Sequence, residues 1–303
     1  MDKLGDIEIF VNVVKQNGLA AAGRKLGMSA ASITTRINRL ESNYGVRLLT
    51  RTTRQISLTI EGSEFYQSCL AILAEVNQAE DNLINRKGEL VGSLKVTATV
   101  DIGKQRIAPI MAEFINANPL VKAHLHLVDH MVNIVKDDYD LAIRFGDLPD
   151  NRMVARKLID SHRVLFASPR YLEEYGVPTT PEELLSHKLL CMKRDDRSLD
   201  IWHFDNGGIN KSLQIEPSLT TNDGYLLRQW VIDGQGIGLK SICDIKNDLE
   251  EGRVVTLLDD YRPDFSPAQR EHTSDLYVVY PTKKYLPLRV KSFVDLLHKR
   301  LNE

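Results

Sequence analysis

Residues 18–54 constrain the fold more than any other stretch of the chain. Leu19 to Leu26 is alanine-rich, Gly27 follows it, Ser29 stands before a mixed apolar and polar run, and Gly45 closes that run. Small side chains let one short helix pack closely on another. Glycine just past a helix end accepts the left-handed conformation found there, and serine is a good N-cap. The spacing therefore predicts a short helix, a turn, and a second helix over roughly 29–44. Ile33, Ile37 and Leu40, with Tyr44 as a further candidate, sit at the spacing of a buried stripe. An N-terminal helix over roughly 4–16 is predicted from Ile7, Phe10, Val11 and Val14 at i, i+3, i+4 and i+7. Two helices joined by a glycine-containing turn, the second with a polar and basic outer face, have the form of a major-groove reader.

On that second helix the candidate DNA-contacting residues are Ser29, Ala30, Ala31, Ser32, Thr34, Thr35, Arg36 and Arg39. Hydroxyls and methyls can meet base edges, and the arginines (Arg47 as well) can meet phosphates. Beyond it, the alternation over Arg51 to Thr59 predicts a short hairpin. This adds Arg51, Thr52, Thr53 and Arg54 at its tip, where an arginine can enter a minor groove of strongly negative potential. Charge supports this reading. Residues 1–60 carry nine Lys and Arg against four Asp and Glu, while the rest of the chain carries 30 against 37. The overall net charge of −2 thus conceals a basic head on an acidic body. Surface basics on a plain three-helix core are the competing reading.

The 303 residues allow more than one domain. No apolar run approaches the roughly 20 residues needed to span a membrane, and residues 1–8 are not those of a secretory signal. Cys69, Cys191 and Cys243 are odd in number and far apart, so neither a disulfide framework nor a metal-type pairing is expected. A cytoplasmic protein with reduced thiols follows, with no membrane partner, no cofactor and no metal. His124, His126 and His130 lie close together but read as structural. Trp202 and Trp230 read as core or pocket wall. Gly234-Gln235-Gly236-Ile237-Gly238 reads as a tight helix-to-strand turn, lacking the setting of a dinucleotide loop. No catalytic constellation stands out.

Residues 60–88 lack proline, and Phe65, Cys69, Ile72, Val76, Ala79 and Leu83 follow spacings of 4, 3, 4, 3 and 4. That heptad seam predicts a linker helix that pairs two chains, placing two heads on two half-sites. From Gly92 onward strands and helices alternate. Strands are expected at 94–100, 123–128, 141–146, 164–169, 237–239 and 276–280, and helices around 107–115, at 132–137, after Thr180 and at 284–301. Alternation of this kind implies an α/β body with a mostly parallel sheet.

Taken together these segments resemble the LysR-type transcriptional regulators over the full length of the chain. The likeness is carried by the helix-turn-helix, by Arg51-Thr52-Thr53-Arg54 with Leu58-Thr59, Gly62 and Phe65-Tyr66, and by Asp140 to Gly146. Ala167 to Leu172, Asn222-Asp223-Gly224 and Gly234 to Leu239 complete it. The resemblance implies a winged helix-turn-helix over 1–59, a linker and dimerisation helix over 60–88, and a regulatory body over 89–303 like a type 2 periplasmic binding protein. The body would comprise one subdomain of 92–163 and 267–303 and a second of 164–266. It further implies a homotetramer built as a dimer of dimers, double-stranded DNA as partner, RNA polymerase as a further candidate partner, and a small effector between the subdomains. The implied effector site comprises Thr99, Val100, Asp101, Ile102, Gly103, Asp129, Phe145 and Gly146 from the first subdomain, continuing to Met131 and Asp147. Ser168, Asn222 and Asp223 face it from the second.

The chain departs from the family at the surface facing the bases. Ala30-Ala31 replace a usual proline and serine, and Thr34-Thr35 replace a usual serine and arginine. Asp101 stands where serine or an aromatic residue is common. It disfavours a simple anionic ligand unless Lys104 or Arg106 compensates, and points to an effector with an amine or several hydroxyls. Alternatively, Asp101 caps the following helix and faces away. Two rival functions remain at this level: a solute-binding module or enzyme with an accessory head, and a thiol-sensing regulator.

Overall fold

The computed structural model describes residues 2–51, 56–85, 89–135, 137–146, 153–194, 197–207, 210–266, 274–282 and 286–303. They form two compact units, Met1–Lys87 and Gly88–Glu303.

In the first unit, α1 (Lys3–Lys15), α2 (Leu19–Leu26) and α3 (Ala30–Tyr44) form the predicted three-helix head. Gly27 ends α2 with φ of 66°, and Ser29 Oγ accepts the Ser32 amide at 3.1 Å to cap α3. The wing consists of β1 (Leu49–Arg51) paired antiparallel with β2 (Ile56–Leu58). Glu41, near the end of α3, holds the approach to the wing by accepting the Leu48 and Leu49 amides at 2.8 and 3.0 Å. The tip residues Thr52, Thr53 and Arg54 lie outside the described residues, as does the Arg51 side chain.

The linker helix α4 (Ile60–Asn85) corrects one expectation. Its first turns complete the head's own core instead of a seam between chains. Cys69 and Tyr66 are buried with Phe10, Ile33, Ile37 and Leu40, and Phe65 packs against the same cluster. The Phe65 ring lies 5.5 Å from that of Phe10 and 5.4 Å from that of Tyr44, so Tyr44 is exposed on one side and packed on the other. The physical reason is that three short helices leave an open apolar face, and the nearest downstream apolar residues close it. Only the later seam is uncommitted: Ile72 is 40% exposed, Val76 half-buried and Ala79 exposed. The Leu83 side chain lies outside the description.

The second unit has two lobes. The first contains β3 (Gly92–Ala98) and one continuous helix over 100–117, comprising α5 (Val100–Ile102), a π turn (Gly103–Ile107) and α6 (Ala108–Ala117). It continues with β4 (Val121–Leu127), β5 (Leu141–Phe145) and β6 (Met153–Ile159). The chain then builds the second lobe from β7 (Arg163–Ala167), α7 (Pro169–Tyr175), a 3-10 turn (Glu182–Ser186), β8 (Leu189–Arg194) and β9 (Arg197–Ser198). Next come β10 (Ile201–Asp205), β11 (Asn210–Gln214), β12 (Leu219–Thr221), α8 (Gly224–Ile232), β13 (Ile237–Ser241) and α9 (Ile242–Glu250). After β14 (Val255–Leu257) and β15 (Arg262–Asp264), β16 (Leu276–Pro281) and α10 (Leu288–Leu301) return to the first lobe.

The sheets are mixed, not mostly parallel. The first runs β4-β3-β5-β16-β6 and the second β12-β8-β13-β7-β14, with a small third sheet β11-β10-β15. β16 is antiparallel to both neighbours because it arrives from the other lobe, whereas β3 pairs in parallel with β4 and β5. The helix expected at 132–137 is a single turn, closed by the Asp137 amide on the Asn133 carbonyl at 2.8 Å. The strands at 153–159, 189–194, 201–205 and 210–214 were not expected. Trp202 is core, with its indole N–H donating to Leu199 O at 3.1 Å. The Gly234–Gly238 segment is the expected tight turn: Gln235 N donates to Trp230 O, and Ile237 N to Lys188 O, both at 2.9 Å.

Gly62 is the tightest point of the head, because a Cβ there would lie 1.9 Å from the Leu48 carbonyl oxygen. Overpacking against fixed backbone is destabilising. Gly62→Ala is expected to lower the stability of the first unit by about 3 kcal/mol. Two-stage urea unfolding of the full chain, followed by circular dichroism, checks this: the head transition moves and the body transition stays.

Candidate DNA face and effector cleft

The outer face of α3 is built differently from its sequence reading. Ala30, Ala31, Thr35 and Arg39 are exposed, and Ser32, Thr34 and Arg36 are half-buried. Both threonine hydroxyls are turned back into the helix: Thr34 Oγ1 donates to Ala30 O at 2.8 Å and Thr35 Oγ1 to Ala31 O at 3.0 Å. Serine and threonine within a helix often satisfy themselves this way. The face is consequently one of methyl groups. Arg36 and Arg39 also have an intramolecular partner. Asp6 of α1 is only 1% exposed and accepts from Arg36 Nη1 at 3.0 Å and from Arg39 Nη2 at 2.6 Å. Both arginines thus neutralise a buried carboxylate within the head, a contact the sequence reading did not include.

Within the body, residues of both lobes line a partly open cavity of about 60 Å³. Thr99, Asp101, Asp129 and Phe145 line it from the expected set. Val100 contributes its backbone amide, which donates to Asp129 Oδ1 at 2.9 Å. The other expected residues do different work. Ile102 and Gly103 face the core of the first lobe, and a Cβ on Gly103 would lie 2.3 Å from Leu127 Cδ2. Ser168 caps α7, and Asp223 caps α8 by accepting the Tyr225 and Leu226 amides at 2.8 and 3.1 Å. Gly146 and Asn222 are not among the lining residues, and Asp147 lies outside the description. The family's motif positions here include helix caps, which explains why they looked functional in sequence.

Arg163, Met192, Arg194, Gly224, Leu239, Lys240, Ser241, Asp244 and Phe265 complete the lining and were missed. Lys240 and Asp244 gave one faint signal: an i, i+4 charge pair within the mostly apolar run 237–245. They belong to a buried ionic cluster spanning the lobes. Asp101, 3% exposed, accepts from Lys240 Nζ at 2.5 Å, from Arg228 Nε at 3.1 Å and from Gln105 Nε2 at 2.7 Å. Arg228 also pairs with Asp248 at 2.7 Å, and Lys240 with Asp244 at 3.2 Å. Asp101 does not face away: it lines the cavity, and the opposite lobe supplies its cations. Lys104 and Arg106 are not its compensators: Lys104 lies 4.1 Å over the Tyr225 ring, and Arg106 donates to Leu301 O.

Burial sets the titration of this cluster. It opposes the charge on Lys240, yet Asp244 and Asp101 outweigh it and raise the ammonium pKa. Burial likewise pushes the Asp244 carboxyl up to about 6. Arg144, buried beneath the cleft, falls to about 10, also through burial. The thiols are equally far from reactive. Burial raises Cys69 and Cys191 to about 11 and raises Cys243 as well, which speaks against thiolate-based sensing. Among the described residues no group of His, Cys, Asp and Glu could hold a metal ion.

Two family models cover the chain: a bacterial regulatory helix-turn-helix of the lysR family at residues 4–63, and a LysR substrate binding domain at residues 87–302. The chain belongs to the LysR family of bacterial transcriptional regulators. Its relatives include the transcriptional activator TtdR of Escherichia coli K12, 30% identical over 96% of this chain and 91% of that one. The regulator CrgA of Neisseria meningitidis is 31% identical over 98% and 96%. The solved structure of CrgA matches with a TM-score of 0.63 over 99% of both chains at 30% identity. The full-length structure of the Vibrio cholerae virulence activator AphB matches with a TM-score of 0.60 at 26% identity, over 97% of this chain and 98% of that chain. As a LysR-type regulator the chain is a DNA-binding transcription factor with an effector-binding body, and its family consists of regulatory proteins.

The raised Asp244 pKa has a definite consequence for stability. The folded state holds a proton on Asp244 up to about pH 6, whereas an unfolded Asp releases it near pH 4. The folded state therefore binds more protons in that window, and stability falls as pH rises through it. Asp244→Asn removes this titration. The Tm of the variant relative to wild type is expected to rise from pH 4 to pH 6 and level off above, as measured by calorimetry. A difference that is flat across the window would contradict the assignment.

Proposed function

We propose that this LysR-type regulator reads thymine-containing operator half-sites mainly through methyl contacts, under the control of a small effector held in the cleft between the body's lobes. The observation that carries the first part is the turning of both threonine hydroxyls onto the α3 backbone. With Ala30 and Ala31, these threonines leave methyls at the helix N-terminus, and apolar contact with the thymine methyl is the base readout open to such a face. The two-lobed body, with a cavity lined by both lobes, supports the second part.

The finer assignments complete the reading. Ser29 to Thr35 form the base-facing surface, while the wing, with Arg51, Thr52, Thr53 and Arg54, supplies backbone or minor-groove contacts. The exposed later seam of α4, from Ile72 on, pairs two chains, and the pairs form a tetramer. The protein acts in the cytoplasm as a regulator and not as an enzyme; no helix among the described residues is long and apolar enough to cross a membrane. An effector that favours one placement of the lobes would shift the spacing of the heads and so the bend of the DNA.

Gel shifts with the DNA upstream of the protein's own gene test the reading. A sequence-dependent shift that weakens steeply with salt is expected, and its absence would refute it. Methyl reading is tested by two substitutions. Thr34→Val keeps the methyl and is expected to retain operator affinity within about twofold. Thr34→Ser removes one methyl, worth about 0.8 kcal/mol or roughly fourfold in Kd at a thymine position, and nothing elsewhere. Loss in Thr34→Val with affinity kept in Thr34→Ser would instead assign the reading to the hydroxyl.

A further inference from the structure

One carboxylate in the cleft has no counterpart in the ionic cluster. Asp129, on the loop after β4, makes no salt bridge among the described residues. Its two oxygens divide between two backbone amides: Oδ1 accepts from Val100 N at 2.9 Å and Oδ2 from Gly224 N at 2.8 Å. Val100 opens the helix over 100–117 in the first lobe, and Gly224 opens α8 in the second. Amides in the first turn of a helix lack intrahelical acceptors and carry partial positive charge, so a carboxylate bridging two of them is in a good anion site. Gly224 keeps this position open: a Cβ there would lie 3.1 Å from Lys240 Nζ and 3.5 Å from Asp129 Oδ2.

The adjoining cavity points to a ligand independently. Asp244, 6% exposed, lines it, and among the described residues its Oδ1 has no hydrogen-bond partner; neither has the buried Oγ1 of Thr99, which also lines the cavity. Unsatisfied buried polar atoms are destabilising, and here two of them belong to residues that line the cavity together with Asp129. A molecule with a hydroxyl or amine next to its own carboxylate would satisfy Asp244 Oδ1. About 60 Å³ is several times the roughly 15 Å³ needed to hold one water.

We propose that Asp129 is a tethered ligand. Its side chain occupies a carboxylate site shared by both lobes, and the effector is a small hydroxy- or amino-carboxylate that takes this site in its place. The proposal rests on reading the cleft as the effector site. Displacement is sterically simple, since His130 and Met131 beside Asp129 are exposed and the loop borders solvent. The design sets a threshold: a tethered group competes at an effective concentration of millimolar or more, so only a ligand with additional contacts displaces it.

The test is chemical rescue in the full-length protein. Asp129→Ala empties the site. In sodium chloride the variant is expected to melt below wild type. At matched ionic strength, sodium acetate is expected to raise its Tm saturably, and glycolate to do so at a lower concentration than acetate. Wild type is expected to need at least tenfold more of either. No response in the variant, or equal responses in both proteins, would overturn the proposal. Should Asp129→Ala not fold, Asp129→Asn retains only one acceptor oxygen. Hydrogen exchange at Val100 or Gly224 is then expected to rise at least tenfold over wild type, with Leu190 in the β8 core unchanged. Unchanged exchange at both amides overturns the proposal equally. The gel shift on wild type decides the regulator reading separately, since neither rescue nor exchange depends on DNA.

Discussion

The body depends on a charge problem solved between its lobes. Asp101, Lys240, Arg228, Asp244 and Asp248 are all buried, and ions withdrawn from water are tolerated only when closely paired. Within the second lobe Lys240 and Arg228 balance Asp244 and Asp248, whereas Asp101 of the first lobe has its cations only from the second. The contact between the lobes is what keeps the buried Asp101 paired. The same pairing fixes the lobes in register, because Lys240 reaches Asp101, Asp244 and the Gly224 carbonyl from one ammonium. Breaking such a set at one member typically costs about 3–5 kcal/mol, enough to make the closed arrangement a well-defined state. That state is what a ligand must act on, since a ligand shifts an equilibrium only by its differential affinity for the two arrangements.

The head solves a smaller version of the same problem. Asp6 is buried, and Arg36 and Arg39 reach across from α3 to cover it. This ties the recognition helix to α1 and limits how far the two arginines can reach toward phosphates. The head keeps its net positive charge. On the proposed reading, specificity rests on the shape and methyl pattern of the α3 surface.

What could be read from the sequence follows the range of the interactions involved. The helices of the head were legible because their signals are local: Gly27, Ser29 and Gly45 mark ends, and Ile33, Ile37 and Leu40 mark a face. The division of α4 was not legible. A heptad seam looks the same whether Phe65 and Cys69 meet a partner chain or the chain's own α1. Strands β8, β10 and β11 were missed because charged and polar residues interrupt their apolar pattern, as at Lys193-Arg194 and Asn210-Lys211. The cleft was half legible. Residues that follow β3, β4 and β5 were located, because strand ends in an α/β body point to a binding site. Lys240 and Asp244 were not, since their role comes from a partner 139 positions away from Lys240.

Asp101 illustrates how an isolated charge misleads. In sequence it seemed to bar an anionic ligand, and the neighbours Lys104 and Arg106 were the only visible remedies. In the fold its charge is neutralised by Lys240 and Arg228, so it imposes no such bar. The carboxylate that does bear on ligand choice is Asp129, which carries no sequence signal beyond its place on a loop. Its importance comes from two amides that become neighbours only when the lobes meet. A carboxylate at that point both stabilises closure and marks the chemistry that could replace it. The cluster around Asp101 and the bridge at Asp129 therefore divide the work: the first makes the closed state stable whatever the ligand, and the second leaves one replaceable contact through which a ligand can be distinguished.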